Sequence, residues 1–507
     1  MNIPTFLSVL PRRIKKSSIL SGALLLTAAG MASRIIGFFY RIFLSRTFGA
    51  ENIGIYQLIS PVMALAYSLS VAGFQTAISR ITATTYATAH SADSNIMHPA
   101  ASSYTAAKHK TSSGKTSRAI SDSGNSRTGT SRSFTVLAAG MLLSILLSLG
   151  ISCFVYFHCE EIAVRFLLEE RCAPLLRILA LSFPVSSVHS CVSGYFYGRK
   201  SAGFPAFSQL LEQIVRVGSV FFLCSAFFAE NAGKTPDISL AVIGMVAGET
   251  FSALLSLLYL WHCFQKESRI PASGLRFGIA EKAFSITALF PELIMMALPL
   301  SAGRIIQNFL QSIEAIAIPE RLRMFGLDTA SALSEYGILT GMSLPFILFP
   351  TALTGSIAVM LLPAVSEAQA LHQERTIARA VRRSVNYCLL LGFACLVFFL
   401  LSGPVLGKFV FHQERAGSYI QILGFMCPFL YMNSTLSSIL HGLGQTVRSF
   451  FFGVASLLIR LAFVFFTIPV FGIKGYLWAL LTSQILLSLL QLISLRRYLG
   501  SSGPAAL

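Results

Sequence analysis

The chain has 507 residues, 54% hydrophobic and only 12% charged, with mean hydropathy +0.68 and 39 Lys+Arg against 21 Asp+Glu. Soluble domains carry about twice that charged fraction, so a water-soluble enzyme, a disordered scaffold and a disulfide-framed secreted domain are excluded. A net charge of +18 on so apolar a chain also argues against a nucleic-acid partner and leaves a polytopic membrane protein.

Residues 1–18 form a basic N-terminus with Arg12, Arg13, Lys15 and Lys16, and the apolar run that follows is too long for a signal-peptide core. Runs able to cross a bilayer follow at 19–45, 55–86, 133–158, 174–198, 203–229, 238–263, 290–318, 334–362, 383–402, 417–442, 446–468 and 474–495. Backbone in lipid must satisfy its own hydrogen bonds, so the expected fold is an all-α bundle of about twelve transmembrane helices. The segments between spans alternate in charge, 23 Lys+Arg in one set against nine in the other. The positive-inside rule then places both termini in the cytoplasm, in agreement with an even number of spans.

One stretch stands apart. Of the 46 residues in 87–132, seventeen are Ser or Thr, and a disordered cytoplasmic loop is expected. Its Gly114-Lys115-Thr116 lacks the earlier glycine of a phosphate-binding loop, since that position is His109, so no nucleotide site is read there.

The two halves resemble each other. Shifting the chain by 244 residues lays 184-PVSSVHSCVSGYFYG-198 on 428-PFLYMNSTLSSILHG-442, with Pro184 on Pro428 and Gly198 on Gly442, and carries Arg216 onto Arg460. A shift of 270 lays Arg34-Ile35-Ile36 on Arg304-Ile305-Ile306. The expected organisation is an N-lobe over 19–263, a linker over 264–289, a C-lobe over 290–495 and a cytoplasmic tail over 496–507. Duplicated lobes of this kind bind substrate between them and rock.

Seven arginines fall inside spans (Arg34, Arg41, Arg80, Arg177, Arg216, Arg304 and Arg460), with Glu212, Glu249, Glu292 and Glu314 as the acidic residues. An arginine at a helix centre costs ~2.5–3.5 kcal/mol on insertion scales, so such residues face a partner or a cavity. Arg80 and Arg177 lie near span ends and can snorkel, and Arg216 has Glu212 one turn earlier as an i,i+4 partner. Arg34 and Arg41 are seven residues apart on one helix face, with no acidic residue in that span. Ser301, Arg304, Gln307, Asn308, Gln311 and Glu314 form a polar stripe along the seventh span, expected to line a water-filled cavity. Arginine outnumbers glutamate, and its planar fork suits phosphate oxygens, so the expected substrate is anionic, a phosphate or diphosphate.

Pro61, Pro184, Pro205, Pro299, Pro345, Pro350 and Pro428 interrupt spans. Pro184, Pro345, Pro350 and Pro428 are the hinge candidates, and Pro345 and Pro350 make the eighth span the expected bent helix. The nine His and nine Cys show no metal-ligand or catalytic spacing; Cys159 and Cys172 share an external loop where a disulfide or free thiols both fit.

The stretches 33-SRIIGFFYRIFLSRTFGAENIGIYQLISPVMALAYSLSVAGFQTAISR-80 and 336-YGILTGMSLPFILFPTALTGSIAVMLLPAVSEA-368 give the chain a family likeness. It resembles the stage V sporulation protein B group of polysaccharide and lipid-linked oligosaccharide transporters, in the multidrug/oligosaccharidyl-lipid/polysaccharide exporter superfamily that includes the lipid II flippases. Ser33-Arg34, Gly37-Phe38 and Arg46 ahead of Phe48-Gly49-Ala50 match the flippase pattern, while the middle arginine is displaced by one position to Arg41. Pro345 stands about where those flippases carry a further arginine.

The resemblance implies two six-helix lobes around a cavity that alternates between membrane faces, and no enzymatic activity. It also implies an undecaprenyl-diphosphate-linked sugar or peptidoglycan precursor, moved across a bacterial cytoplasmic membrane for cell-wall or spore-wall synthesis. Substrate binding is expected from Arg34, Arg41 and Arg304, with Gln307, Asn308 and Gln311 beside them and Arg216 and Arg460 as helpers. A coupling proton or Na⁺ is expected at Glu212, Glu249 or Glu314, with no other cofactor and no metal. The expected state is a monomer among membrane lipids, in association with cell-wall synthesis enzymes. Export of another polysaccharide precursor and multidrug/cation antiport are the alternatives within the superfamily. A membrane glycosyl polymerase would need a large outer loop, and the sequence offers none.

Overall fold

A computed structural model describes residues 18–97, 117–231, 235–268 and 289–500, and every regular element among them is helical. The basic N-terminus, Gly114-Lys115-Thr116, most of the 264–289 linker and the end of the tail lie outside the described residues. The first half comprises α1 (Ser18–Leu58), α2 (Ser60–Ser70), α3 (Ala72–Met97), α4 (Ser117–Phe157), α5 (Cys172–Ala180), α6 (Ser182–Gly198), α7 (Gly203–Glu230) and α8 (Ser239–Ser268). The second half begins with α9 (Phe290–Met324), α10 (Thr329–Gly337), a π-helical stretch Ile338–Ser343, α11 (Leu344–Leu348) and α12 (Thr351–Ala370). It ends with α13 (Glu374–Val405), α14 (Glu414–Gly424), α15 (Cys427–Gly442), α16 (Thr446–Phe466) and α17 (Ile473–Gly500).

Among the described residues, eight helical segments are long and apolar enough to cross a bilayer, or eleven when each of three bent pairs is taken as one span. The first segment, Ala28–Thr85, has 58 residues, well beyond the ~20 that one crossing needs. It breaks at Gly49, whose φ of 77° is a conformation other residues rarely adopt, and so holds the two expected spans 19–45 and 55–86. Large apolar side chains point outward, with Leu401 and Phe466 each 77% exposed, the inverse of a soluble protein and suited to lipid contact.

The serine-rich stretch 87–132 departs from expectation. Helix α3 continues to Met97 and α4 starts at Ser117, leaving only 98–116 outside the described residues. Extending a formed helix avoids the nucleation cost, and 88–97 contains no Gly or Pro to stop it before Pro99.

The sharp bends fall at α5–α6 (42°), within α9 around Pro299 (46°) and at α14–α15 (57°). Pro184 and Pro428 stand in the first turns after the first and last of these, so the pair aligned by the 244-residue shift sits at equivalent breaks. The carbonyl of Ala180, four residues before Pro184 and denied an N–H by it, accepts a hydrogen bond from Ser152 Oγ at 2.6 Å. The eighth span, expected as the bent helix, is interrupted differently. Pro345 follows the π-helical stretch, and Pro350 closes a short turn between α11 and α12.

Helices α1 and α3 to α8 pack on one another, as do α12 to α17, and two seams join the halves. In one, the second segment of α1 crosses α10 so closely that a Cβ on Gly54 would lie 2.1 Å from the Leu333 carbonyl oxygen. A Cβ on Gly337 would likewise lie 2.1 Å from that of Ala50. In the other seam, α9 packs against α2 and α3.

Beside the first seam, Arg171 donates to Glu169 and Glu51 at 2.6 Å each, and these bonds, Glu169 first, hold its guanidinium above its ordinary pKa. Asp328 caps α10 by accepting from the Ser331 N–H, and its bonds to Ser331 hold its carboxyl below the usual range. Cys159 and Cys172 are both free and buried.

Candidate functional site

A cavity of about 680 Å³ lies between the halves, walled by α1, α7 and the α10–α12 region. Among the described residues, its lining includes Arg34, Arg41 and Arg216 and no carboxylate. Ile53 and Gly341, next to Gly54 and one turn after Gly337, pack together in its lining. Along α1 the lining extends from Gly30 to Gln57.

Arg34 and Arg41 project from one face of α1, as their seven-residue spacing requires. Arg34 donates to Thr351 Oγ1 at 3.3 Å, a neutral partner in the opposite half. Among the described residues no carboxylate lies within ion-pair distance of Arg34, Arg41 or Arg304. Arg216 is held by Glu212 at 2.6 Å, the i,i+4 pair expected from sequence, with both side chains about 20% exposed.

Sequence reasoning missed Gln209 and Gln213 of α7 and Gln57 of α1, which also line the cavity. Gln209, Gln213 and Arg216 are spaced four and three residues apart, the same helical-stripe signal used for the seventh span. Tyr40 also lines the cavity, and its buried hydroxyl has no hydrogen-bond partner within the protein. This arrangement offers cationic forks for phosphate oxygens and amides and phenols for hydroxyl groups.

The seventh-span stripe does not line this cavity. Arg304 Nη1 donates to the Ala72 carbonyl at 3.4 Å, Asn308 Nδ2 to that of Ala64 at 3.1 Å and Ser312 Oγ to that of Pro61 at 3.5 Å. The stripe thus pairs with the broken second span, where Val71 interrupts the helix. Gln307 faces Gly453 of α16, and Gln311 is exposed elsewhere on α9.

Arg460 is also placed away from the cavity. Its Nη2 donates to Glu314 at 2.5 Å, and Glu314 accepts a further bond from Tyr476 at 2.8 Å. Glu314, 4% exposed, is therefore paired within the second half, away from the cavity. The two arginines aligned by the repeat each hold a glutamate, one from the same helix and one from across the lobe.

Beside the main cavity lies a smaller chamber of about 230 Å³, enclosed by α2, α6, α7 and α8. It is lined by Glu212, Glu249, His189 and Arg216 among serines and apolar residues. Glu249, 8% exposed, accepts a hydrogen bond from Ser186 Oγ. His189 Nδ1 is 2.8 Å from Ser256 Oγ. Two of the three glutamates expected to couple an ion, Glu212 and Glu249, thus share one chamber, and Glu314 stands apart.

Residues 19–105 and 112–369 match the polysaccharide biosynthesis protein family. The chain is 26% identical over 490 residues to stage V sporulation protein B of Bacillus subtilis (strain 168), covering 96% of this chain and 85% of that protein. Its fold is similar to that of lipid II flippase MurJ in an inward closed conformation, with TM-score 0.64 and 14% identity over 93% of this chain and 87% of that one. A multidrug-resistance MATE transporter in an inward-facing conformation superposes with TM-score 0.63 and 12% identity, over 97% of this chain and 99% of that one. The chain belongs to the polysaccharide biosynthesis protein family and is a multi-pass membrane protein with a transporter fold.

Proposed function

We propose that this protein is an alternating-access flippase for an undecaprenyl-diphosphate-linked oligosaccharide or peptidoglycan precursor. It moves its substrate across the bacterial cytoplasmic membrane for cell-wall or spore-wall synthesis, with both chain termini in the cytoplasm. The observation that carries the reading is the interlobe cavity, lined among the described residues by three arginines and no carboxylate. A cationic substrate would meet repulsion there, whereas a diphosphate would supply the counter-charge that Arg34 and Arg41 lack.

Arg34 and Arg41 grip the diphosphate, and Gln57, Gln209 and Gln213 meet hydroxyl groups of the headgroup. The isoprenoid tail stays in lipid, so only the headgroup needs the polar path. Opening of the Gly54–Gly337 seam releases the substrate on the face away from the termini. Glu212 and Glu249 are the ion-coupling residues. Membership of the polysaccharide biosynthesis family and the similarity to stage V sporulation protein B support the substrate class.

The experiment is flipping of a fluorescent undecaprenyl-diphosphate-linked sugar in proteoliposomes. Arg34→Ala and Arg41→Ala are each expected to slow it about tenfold or more, the loss of a charge-assisted hydrogen bond. Wild-type rates in both variants would sink the arginine grip.

A further inference from the structure

Arg216 lines both the main cavity and the small chamber, and so forms the partition between them. On the chamber side its Nη2 donates to Glu212, whereas its buried Nε–H has no acceptor within the protein. Its guanidinium is therefore incompletely bonded, at the wall of a cavity whose other arginines lack carboxylates.

We propose that Arg216 exchanges counter-ions: a diphosphate entering the main cavity draws it from Glu212, and the carboxylates left in the chamber take up a proton. The proposal rests on the anionic-substrate reading above and adds the identity and place of the coupled ion.

The groups facing Arg216 come from every neighbouring element. Glu212 is on its own helix, Glu249 on α8 and His189 on α6. Tyr67 of α2 borders the chamber, and Tyr40, Arg41 and Tyr56 of α1 border the cavity. Once Arg216 turns away, Glu212 and Glu249 are two carboxylates in one chamber, with His189 as the remaining basic group in its lining. Like charges so placed, in a small and largely apolar space, favour one shared proton. His189 is held among serine hydroxyls, with Ser193 Oγ 3.5 Å from Nε2 and Ser208 Oγ 3.5 Å from Nδ1. The proton comes from solvent and joins a carboxylate oxygen, and no bond to the substrate is made or broken. Linkage is reciprocal, so lower pH tightens anion binding at this site as anion binding promotes protonation.

The test uses the full chain in detergent with inorganic pyrophosphate as probe. Binding is measured by calorimetry in buffers of differing ionisation heat, and the probe's own protonation is subtracted. Wild type is expected to take up close to one proton per pyrophosphate bound, with no dependence on whether the salt is sodium or potassium. Glu212→Gln/Glu249→Gln is expected to bind pyrophosphate about tenfold tighter at pH 8, within the usual range of coupling, and to lose the proton uptake. Pyrophosphate binding by wild type with no proton uptake, or tightened by Na⁺ in place of protons, overturns the exchange while leaving the anionic cavity standing. Equal or weaker binding by a folded double variant overturns it too. Absence of pyrophosphate binding by wild type overturns both readings. The wild-type uptake decides the matter even where the double variant does not fold.

Discussion

Arg34 and Arg41 share one face of α1 and meet no carboxylate, whereas Arg216 and Arg460 each hold one. On the proposed function, that difference separates binding from stability. Arg460→Ala would leave Glu314 buried with Tyr476 as its remaining bonded partner, and the expected cost is about 3–5 kcal/mol of stability. Thermal melting in detergent checks it, and Arg34→Ala, which breaks no ion pair, should melt close to wild type. Arg304→Ala should slow flipping far less than Arg41→Ala in the vesicle assay, because Arg304 bonds a backbone carbonyl of α3 outside the main cavity. At this scale the sequence reveals which residues cannot face lipid but not what they face. The Arg216–Glu212 pair was legible because both partners lie one turn apart on one helix. The Arg460–Glu314 pair was not, because its members are 146 residues apart and meet only after α9 and α16 pack. Gln209 and Gln213 carried a legible signal, a stripe leading to Arg216, that charge counting overlooked.

Among the elements, α1 and α10 do most to set the state of the molecule in the proposed cycle. Their crossing leaves no space for a side chain at Gly54 or Gly337, so Gly337→Val must push the seam apart. The expected outcome is a shift toward the form open on the face away from the termini. In a cysteine-free background, Ile53→Cys should then react faster with an impermeant maleimide applied from that face. Unchanged labelling in a folded variant would mean that the seam is not the gate.

Asp328 anchors the start of α10. Its folded-state pKa is depressed, so its contribution is present above the ordinary carboxylate value and is lost as pH falls through the folded one. Asp328→Ala should lower the melting temperature at pH 7, and the gap to wild type should close in acid. The elements themselves were largely legible, since hydropathy fixes spans and Pro184 with Pro428 marked two of the three sharp bends. The π-helical stretch before Pro345 was not, because a proline signals that a carbonyl is freed without saying how the helix re-forms around it.

For the whole molecule, most of the +18 follows from topology: 23 Lys+Arg lie in the segments read as cytoplasmic against nine in the opposite set. The charge that the proposed function uses is the small excess of arginine inside the spans, and folding divides it unevenly. Glu212 and Glu314 each neutralise one arginine, while Arg34 and Arg41 stay uncompensated and face one cavity. The two-lobe architecture was legible from the internal repeat. The lining of its cavity was only half legible, because the seventh-span stripe, the longest polar signal in the sequence, is taken up in joining the halves. The central claim is that the cavity serves an anionic lipid headgroup. It is tested most directly by giving the same proteoliposomes a labelled undecaprenyl-diphosphate-linked sugar and a lipophilic cationic dye. The expected result is flipping of the lipid with no movement of the dye; expulsion of the dye with a static lipid would contradict the account.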